Sequence, residues 1–512
     1  MNRNKVITII ITVSIVYIFG LYIISDWVKL ENQIPVIGET IEEVEAMGDW
    51  WITVPCAENK SLLTDISGTS FEDKPNIIYL IMPTDIKDDK VIFYVRDIAD
   101  QYALRYEADF REGDINLGTK KIRLVKTKLP VMYFIMEKEE FYAMNHDMDK
   151  KMSADGELLC RPNIHNKVTL LPRGNSTWGI HEKKPYSLHL DKAKSVLGMN
   201  TAKKWNMISN FDDLSILTND VFYDLAKEMK LPYTCEHIQA TVYINGKYSG
   251  VYLVTSKIQV KDNRINLKPG DYLLDFADND IQENPEKKVY FSINSDYISE
   301  PEERFSSFSI EYPKDNIDVE FIKNFVQEAF DALADSKSDR YLDYFDLDNL
   351  ARFYLFEEIC LNDDACYGSI YLTYDSKSNK LIFGPIWDLD NTLNKTNSNY
   401  KDMVARRSWY RQLFLHDSFI NEVCEKYNSE IRFLVNKSVE NYELKSVEMA
   451  VDGELNSMYT KPDIRLLYDN YIERNYEEEC EDNILFYKDR VTFLDDLFEN
   501  RENFVKIYFS ED

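Results

Sequence analysis

The chain has 512 residues, with 60 Lys or Arg against 89 Asp or Glu, a net charge of −29. At roughly 100–200 residues per domain this length suggests about three domains, and the acidity argues against a nucleic-acid partner, because a phosphate backbone calls for a basic face. A hydrophobic share of 44% with 13% aromatics excludes disorder as the main state, and six histidines argue against a multi-histidine metal centre but leave carboxylate sites for a hard cation open.

The first element is an apolar run. No charge occurs between Lys5 and Asp26, about one bilayer thickness of helix. Arg3 and Lys5 precede it and, by the positive-inside rule, stay cytoplasmic. No small-residue cleavage site closes it, so residues 1–29 read as an uncleaved signal anchor. The remainder is then expected outside the cytoplasm, on a single-pass protein of the cell membrane. Residues 30–48 read as a polar linker.

Residues 49–128 read as a β-rich, sandwich-like module, with β-branched and aromatic runs at 76–81 and 91–95 bounded by turn residues. Further strands are expected at 130–135, at two places within 167–190, and in a hairpin over 238–255 that turns at Asn245-Gly246. A helix is expected over 213–230, capped by Asp212 or Asp213. Apolar residues at helical spacing place another over 318–335. A third, 347–361, runs into Asn362-Asp363-Asp364. Strands at 369–374 and 380–386 follow, and beyond about 400 the pattern is helical and charged. The seven cysteines form no CxxC pair, so zinc is not expected, and ordinary buried thiols fit them better than a disulfide framework.

Two clusters can carry chemistry. Arg173-Gly174-Asn175-Ser176-Thr177-Trp178 with Lys183-Lys184 offers backbone amides and cations to an anion, although a glycine turn beside surface lysines has the same composition. Glu358 through Asp364 and Trp387-Asp388-Leu389-Asp390 put carboxylates at the ends of hydrophobic elements. A strand carrying Asp388 and Asp390 would turn both to one face, where they can share a hard cation. Phosphoryl transfer uses one carboxylate to orient a hydroxyl and another to hold Mg²⁺. A paired-carboxylate glycosidase is the other chemistry open at this point.

Five motifs in order decide between these. RGNSTW with KKPYSLHL, then LGM with KKWNMISNFDDLSIL, VYINGKYSGVYLVTSKI, EEICLNDDACYGSIYLTYD and GPIWDLDNTL together resemble the spore coat protein H (CotH) family of atypical protein-kinase-like proteins, over roughly residues 130–430. The fold class expected is α+β: an atypical bilobal protein-kinase-like domain over 129–430, preceded by the anchor helix and the β-rich module and followed by a helical region, 431–512. The resemblance implies ATP and Mg²⁺ as cofactors and Ser or Thr of an exported or cell-surface protein as acceptor. It makes Asp364 the catalytic aspartate and Lys184 the lysine that reaches the phosphates. It places Arg173, Lys183 and Trp387 at the nucleotide, and gives the metal to Asp388 and Asp390. Asn362 and Glu358 would support Asp364. Two departures stand out. Ser369 occupies the place where protein kinases carry a metal-binding Asn, and Ser256 stands where relatives often have Glu. They keep open a pseudokinase-like surface protein that binds nucleotide or a partner without catalysis; an envelope polysaccharide hydrolase is the more distant alternative.

Overall fold

The computed structural model of the chain describes residues 120–510 apart from 161–163, 175, 212, 277–288, 295–306, 363, 367, 390–391, 394–398 and 468–473, together with strands and turns between residues 36 and 117. The expected anchor, residues 1–29, lies outside the described residues. Among the described residues no helix is long and apolar enough to cross a membrane. The chain divides into two compact units, Met1–Thr127 with Tyr243–Tyr248, and Lys128–Val242 with Ser249–Asp512.

The first unit is β-structure. The expected runs form β5 (Ile77–Met82) and β6 (Lys90–Asp97). β6 lies in an antiparallel sheet of order β1-β7-β6-β3-β2, built with β1 (Val36–Thr40), β2 (Ile52–Ala57), β3 (Lys60–Thr64) and β7 (Tyr102–Asp109). β5 lies in a second sheet with β4 (Ser67–Thr69), β8 (Ile115–Leu117) and β9 (Lys120–Lys126), and it pairs with β9 in parallel.

The second unit opens with a closed barrel of order β10-β11-β12-β13-β14-β16-β15. Its strands are β10 (Val131–Met136), β11 (Ala154–Cys160), β12 (Ile164–Pro172), β13 (Tyr186–Lys194), β14 (Ala202–Ile208), β15 (His237–Ile244) and β16 (Lys247–Ser256). Helix α1 (Lys138–Asn145) joins the first two. Asn245 and Gly246 both take positive φ between β15 and β16, the two-residue turn that suits a hairpin's twist. Helix α2 (Thr218–Glu228) begins later than expected. Residues 213–217 form a turn instead: Asp213 accepts from the Ser215 hydroxyl and backbone and from the Thr218 amide at 2.9 Å, which spends the capping carboxylate before the helix starts.

A five-stranded sheet and helices complete this unit. The sheet has the order β18-β19-β17-β20-β21, with β17 (Tyr272–Phe276), β18 (Tyr290–Ser292), β19 (Ser307–Tyr312), β20 (Ile370–Asp375) and β21 (Lys380–Phe383). Helix α3 (Val319–Ala334) is capped by Asp318, and α4 (Leu347–Cys360) by Asp346, as expected of Asp at an N-cap. Then follow α5 (Asp417–Lys426), α6 (Arg432–Glu448), α7 (Ala450–Leu467), α8 (Tyr476–Leu497) and α9 (Arg501–Tyr508). One core runs through these layers. It takes Ile208 and Leu253 from the barrel, Phe330 from α3, Tyr354 from α4, and Tyr487 and Leu494 from α8. Cys160, Cys235, Cys360, Cys366, Cys424 and Cys480 are buried free thiols, as the sequence leads one to expect.

One local expectation fails. The strand expected over 380–386, running into Asp388 and Asp390, stops at Phe383. Gly384 takes φ +122° and Pro385 brings no N–H, so the ladder cannot continue. Asp388 sits at φ 59°, in the left-handed region. The two-residue strand period therefore does not govern the direction of its carboxylate.

Candidate functional site

Helix α4 sets the first half of the site. It ends on Leu361 in the left-handed conformation, whose N–H returns to the helix. That stop releases Asn362 and the single turn Asp364–Cys366. Glu358, in the last turn, has no exposed surface. Its carboxylate accepts from the Tyr354 hydroxyl at 2.9 Å, the Ala405 amide at 2.9 Å and the Arg490 guanidinium at 2.7 Å. Arg490, on α8, is equally enclosed and also donates to the carbonyls of Tyr400 and Asp402. The pair thus ties α4, α8 and the segment before the short helix Tyr410–Leu413 at one point.

Glu357, one residue earlier, is buried as well. Desolvation raises its carboxyl to about 8, the Asn362 side chain pulls it down, and the charge of Asp364 pushes it up. One carboxyl oxygen, Oε2, has no hydrogen-bond partner. Its role is not apparent in the sequence, where it is one of two adjacent glutamates and only the second was singled out.

The second half is the irregular stretch after β21. Asp388 is half-buried, and Ser369 donates its hydroxyl to the Asp388 Oδ2 at 2.8 Å. Residue 369 is the position noted as a departure from protein kinases, and it lies against the expected metal aspartate. Trp387 lies under the Arg173 guanidinium, 5.1 Å from ring centroid to Cζ, a cation–π arrangement. The Leu393 amide returns to the Cys360 carbonyl at 2.9 Å, fastening the chain beyond Asp388 to the end of α4. Asp390 lies outside the described residues.

The Arg173–Trp178 turn stands between β12 and β13. Gly174 takes φ +78°, and a Cβ there would sit 2.1 Å from the Thr177 hydroxyl oxygen, so only glycine fits. Lys150 holds the Gly174 carbonyl at 2.8 Å. Lys184 is buried, donates to the Trp178 carbonyl at 2.7 Å and lies over that indole. Burial lowers its ammonium and the nearby Glu182 raises it, with a net depression.

Lys183 is enclosed on all sides. Its ammonium donates to the carbonyls of Ser209 and Val251, both at 2.5 Å, and to Asn456 Oδ1 at 2.7 Å. Those three bonds use all the protons an ammonium has. Gly250 makes the room: a Cβ there would lie 2.8 Å from both Asn456 Oδ1 and the Lys183 side chain. Asn456 is on α7, so Lys183 joins barrel and helices. Burial without a carboxylate pushes its pKa well down.

Arg173, Trp387, Asp388 and Ser369 are thus brought together, and Glu357, Asn362 and Asp364 cluster at the end of α4. Among the described residues no group of three or more His, Cys, Asp or Glu side chains forms a metal cluster. An Asp with few companions nevertheless fits Mg²⁺, which keeps waters and takes ligands from a substrate's phosphates.

A closed barrel joined to a five-stranded sheet and helices, with acidic turns after α4 and after β21, makes an α+β domain. The sequence model described as "CotH kinase protein" matches residues 170–494, and the chain belongs to that family. The match extends through α6, α7 and most of α8, so it includes Asn456 and Arg490. No curated protein matches the chain.

Proposed function

We propose that the protein is a protein kinase that uses ATP with Mg²⁺ to phosphorylate Ser or Thr of an exported or cell-surface protein. The observation that carries this reading is the placement of Asp388 beside Ser369, with Trp387 held under Arg173, within a chain of the CotH kinase family. Asp364 orients the acceptor hydroxyl and accepts its proton. A strong base is not needed, because positioning dominates a loose transition state. Asp388, with Asp390, would hold Mg²⁺, which would supply positive charge against the phosphate oxygens. Arg173 offers its guanidinium to the phosphates from the face of Trp387. Lys184 fixes the Arg173–Trp178 turn by its bond to Trp178, and Lys183 holds that end of the barrel against α7. The uncharged run after Lys5 supports a single-pass anchor with this domain outside the cytoplasm.

The test is transfer from labelled ATP with Mg²⁺ to casein-like acceptors, using wild type and Asp364→Ala. Transfer by the wild type that Asp364→Ala abolishes is the expected result; no difference between the two overturns the assignment. A second reading, nucleotide binding without transfer, is favoured by Ser369, whose hydroxyl is a poorer metal ligand than an amide oxygen. ATP binding with no turnover on any acceptor selects it.

A further inference from the structure

The last turn of α4 holds two adjacent glutamates, and they are held differently. Glu358 takes the Arg490 guanidinium at 2.7 Å. Glu357 is 3% exposed, and what acts on it is burial, the Asn362 side chain and the charge of Asp364, with no cation among them. Backbone geometry brings Asn362 back to it. Leu361 takes φ 49° and ends the helix, and the Asn362 amide returns to the Glu357 carbonyl at 3.3 Å. A residue five positions on is thereby set against the turn it has just left. The Asn362 side chain, 1% exposed, also donates to the Glu357 carboxyl. From there the chain enters the turn Asp364–Cys366, with Asp364 half-buried.

Two polar atoms of this joint are unmatched. Glu357 Oε2 and Asn362 Oδ1 are both buried and both lack a hydrogen-bond partner. With the carboxyl ionised each is only an acceptor, so neither can serve the other. Bare acceptors in a buried place cost free energy, and folded proteins carry few of them. One proton on Oε2 resolves both. The carboxyl then has a hydrogen to give, the Asn362 carbonyl oxygen receives it, and the amide nitrogen donates back. An acid facing a primary amide makes both bonds at once, in opposite directions. The surroundings favour that proton. Cys360, Cys366 and Tyr410 feel the Glu357 charge, and burial first, then that charge, keeps all three protonated. The Arg490 guanidinium is taken by Glu358. Burial lifts the Glu357 carboxyl to about 8.

We propose that Glu357 is a positioning residue: as a neutral acid it pairs with the Asn362 amide through two hydrogen bonds, and the pair fixes the turn that carries Asp364 without setting a second negative charge beside it. Neutrality matters electrostatically. A like charge nearby favours the protonated form of a carboxyl, and a protonated Asp364 cannot take the proton of the acceptor hydroxyl. That Asp364 is the aspartate served rests on the kinase reading; the acid–amide pair does not. Glu358, expected to support Asp364, is committed to Arg490 instead, and that role falls to Glu357 with Asn362.

Infrared difference spectra of the full chain, wild type against Glu357→Gln, test the pair. The wild type is expected to show a neutral-acid carbonyl band that is lost with a midpoint of about pH 8, and the amide variant to lack it. In Asp364→Asn that midpoint falls, because the charge that pushes Glu357 up is gone. Absence of the band overturns the pair, and an unmoved midpoint overturns its link to Asp364. Transfer from ATP reads the role. Glu357→Ala and Asn362→Ala each lower kcat about tenfold, the free energy of one hydrogen bond, with KM for ATP unchanged. The double variant loses no more than either single one, because the two residues act as a unit. Glu357→Gln keeps a donor for Asn362 Oδ1 and recovers most of the loss. It also removes the fall in kcat above about pH 8 that ionisation of Glu357 gives the wild type. Should Glu357→Ala fail to fold, Asn362→Ala and the pH profile of Glu357→Gln give the same reading. Additive losses in the double variant, or wild-type transfer by Glu357→Ala, overturn the positioning role and keep the kinase. No transfer by any of these proteins retires the kinase, and the band and its midpoint then decide the pair alone.

Discussion

Glu358 and Asp388 stand at the two acidic turns of the site, and the chain holds them by different means. Glu358 has no exposed surface and is tied by side-chain and backbone donors from α4, α8 and residue 405. Asp388 is half-buried on irregular backbone at φ 59°, with the Ser369 hydroxyl on one oxygen. An enclosed carboxylate satisfied by fixed donors is a structural joint. A carboxylate left partly open on a strained turn can change partners when a cation arrives. On the proposed function, the difference separates a residue that builds the site from one placed to meet a ligand.

The contrast can be broken by substitution. Glu358→Gln leaves the Arg490 charge enclosed without its counter-ion and is expected to cost about 3–5 kcal/mol in denaturant unfolding. A loss below about 1 kcal/mol would show the joint to be dispensable. Glu357→Gln acts through pH. The folded carboxyl lies at about 8 against an ordinary value of 4.5. The native state therefore keeps a proton that the unfolded chain loses between those values, and stability falls as pH rises across that window. One such group contributes at most about 1.4 kcal/mol per pH unit. The variant, unable to ionise, is expected to flatten that slope when unfolding is followed from pH 5 to 8; an unchanged slope would remove Glu357 as its source. Ser369→Ala takes one donor from Asp388 and is expected to cost about 1 kcal/mol, read from the melting curve. The smallest effect belongs to the surface pair Lys488–Glu443, at 2.5 Å but half-exposed on both sides. Lys488→Ala should change stability by less than about 1 kcal/mol, an effect that salt screens.

The periodic elements were readable in the sequence. Helices α3 and α4, capped by Asp318 and Asp346, begin and end within one residue of their expected limits, because an Asp cap and an apolar stripe act locally. The β15–β16 hairpin follows from Asn245-Gly246 for the same reason. What was not readable depends on distant partners. Arg490 lies 132 positions from Glu358, and Asn456 lies 273 from Lys183. No spacing rule joins them. The strand expected to carry Asp388 was lost to Gly384 and Pro385, a breaker pair present in the sequence but outweighed by the apolar run before it.

The most direct measurement is phosphate transfer from ATP by wild type and Asp388→Ala across a Mg²⁺ titration, with melting curves recorded on the same samples. The expected result is Mg²⁺-dependent transfer by the wild type, a loss of about 10³-fold in the variant, and melting temperatures within a degree or two of each other. Equal transfer by both proteins, or a variant that loses transfer only because it no longer folds, would contradict the role given to Asp388.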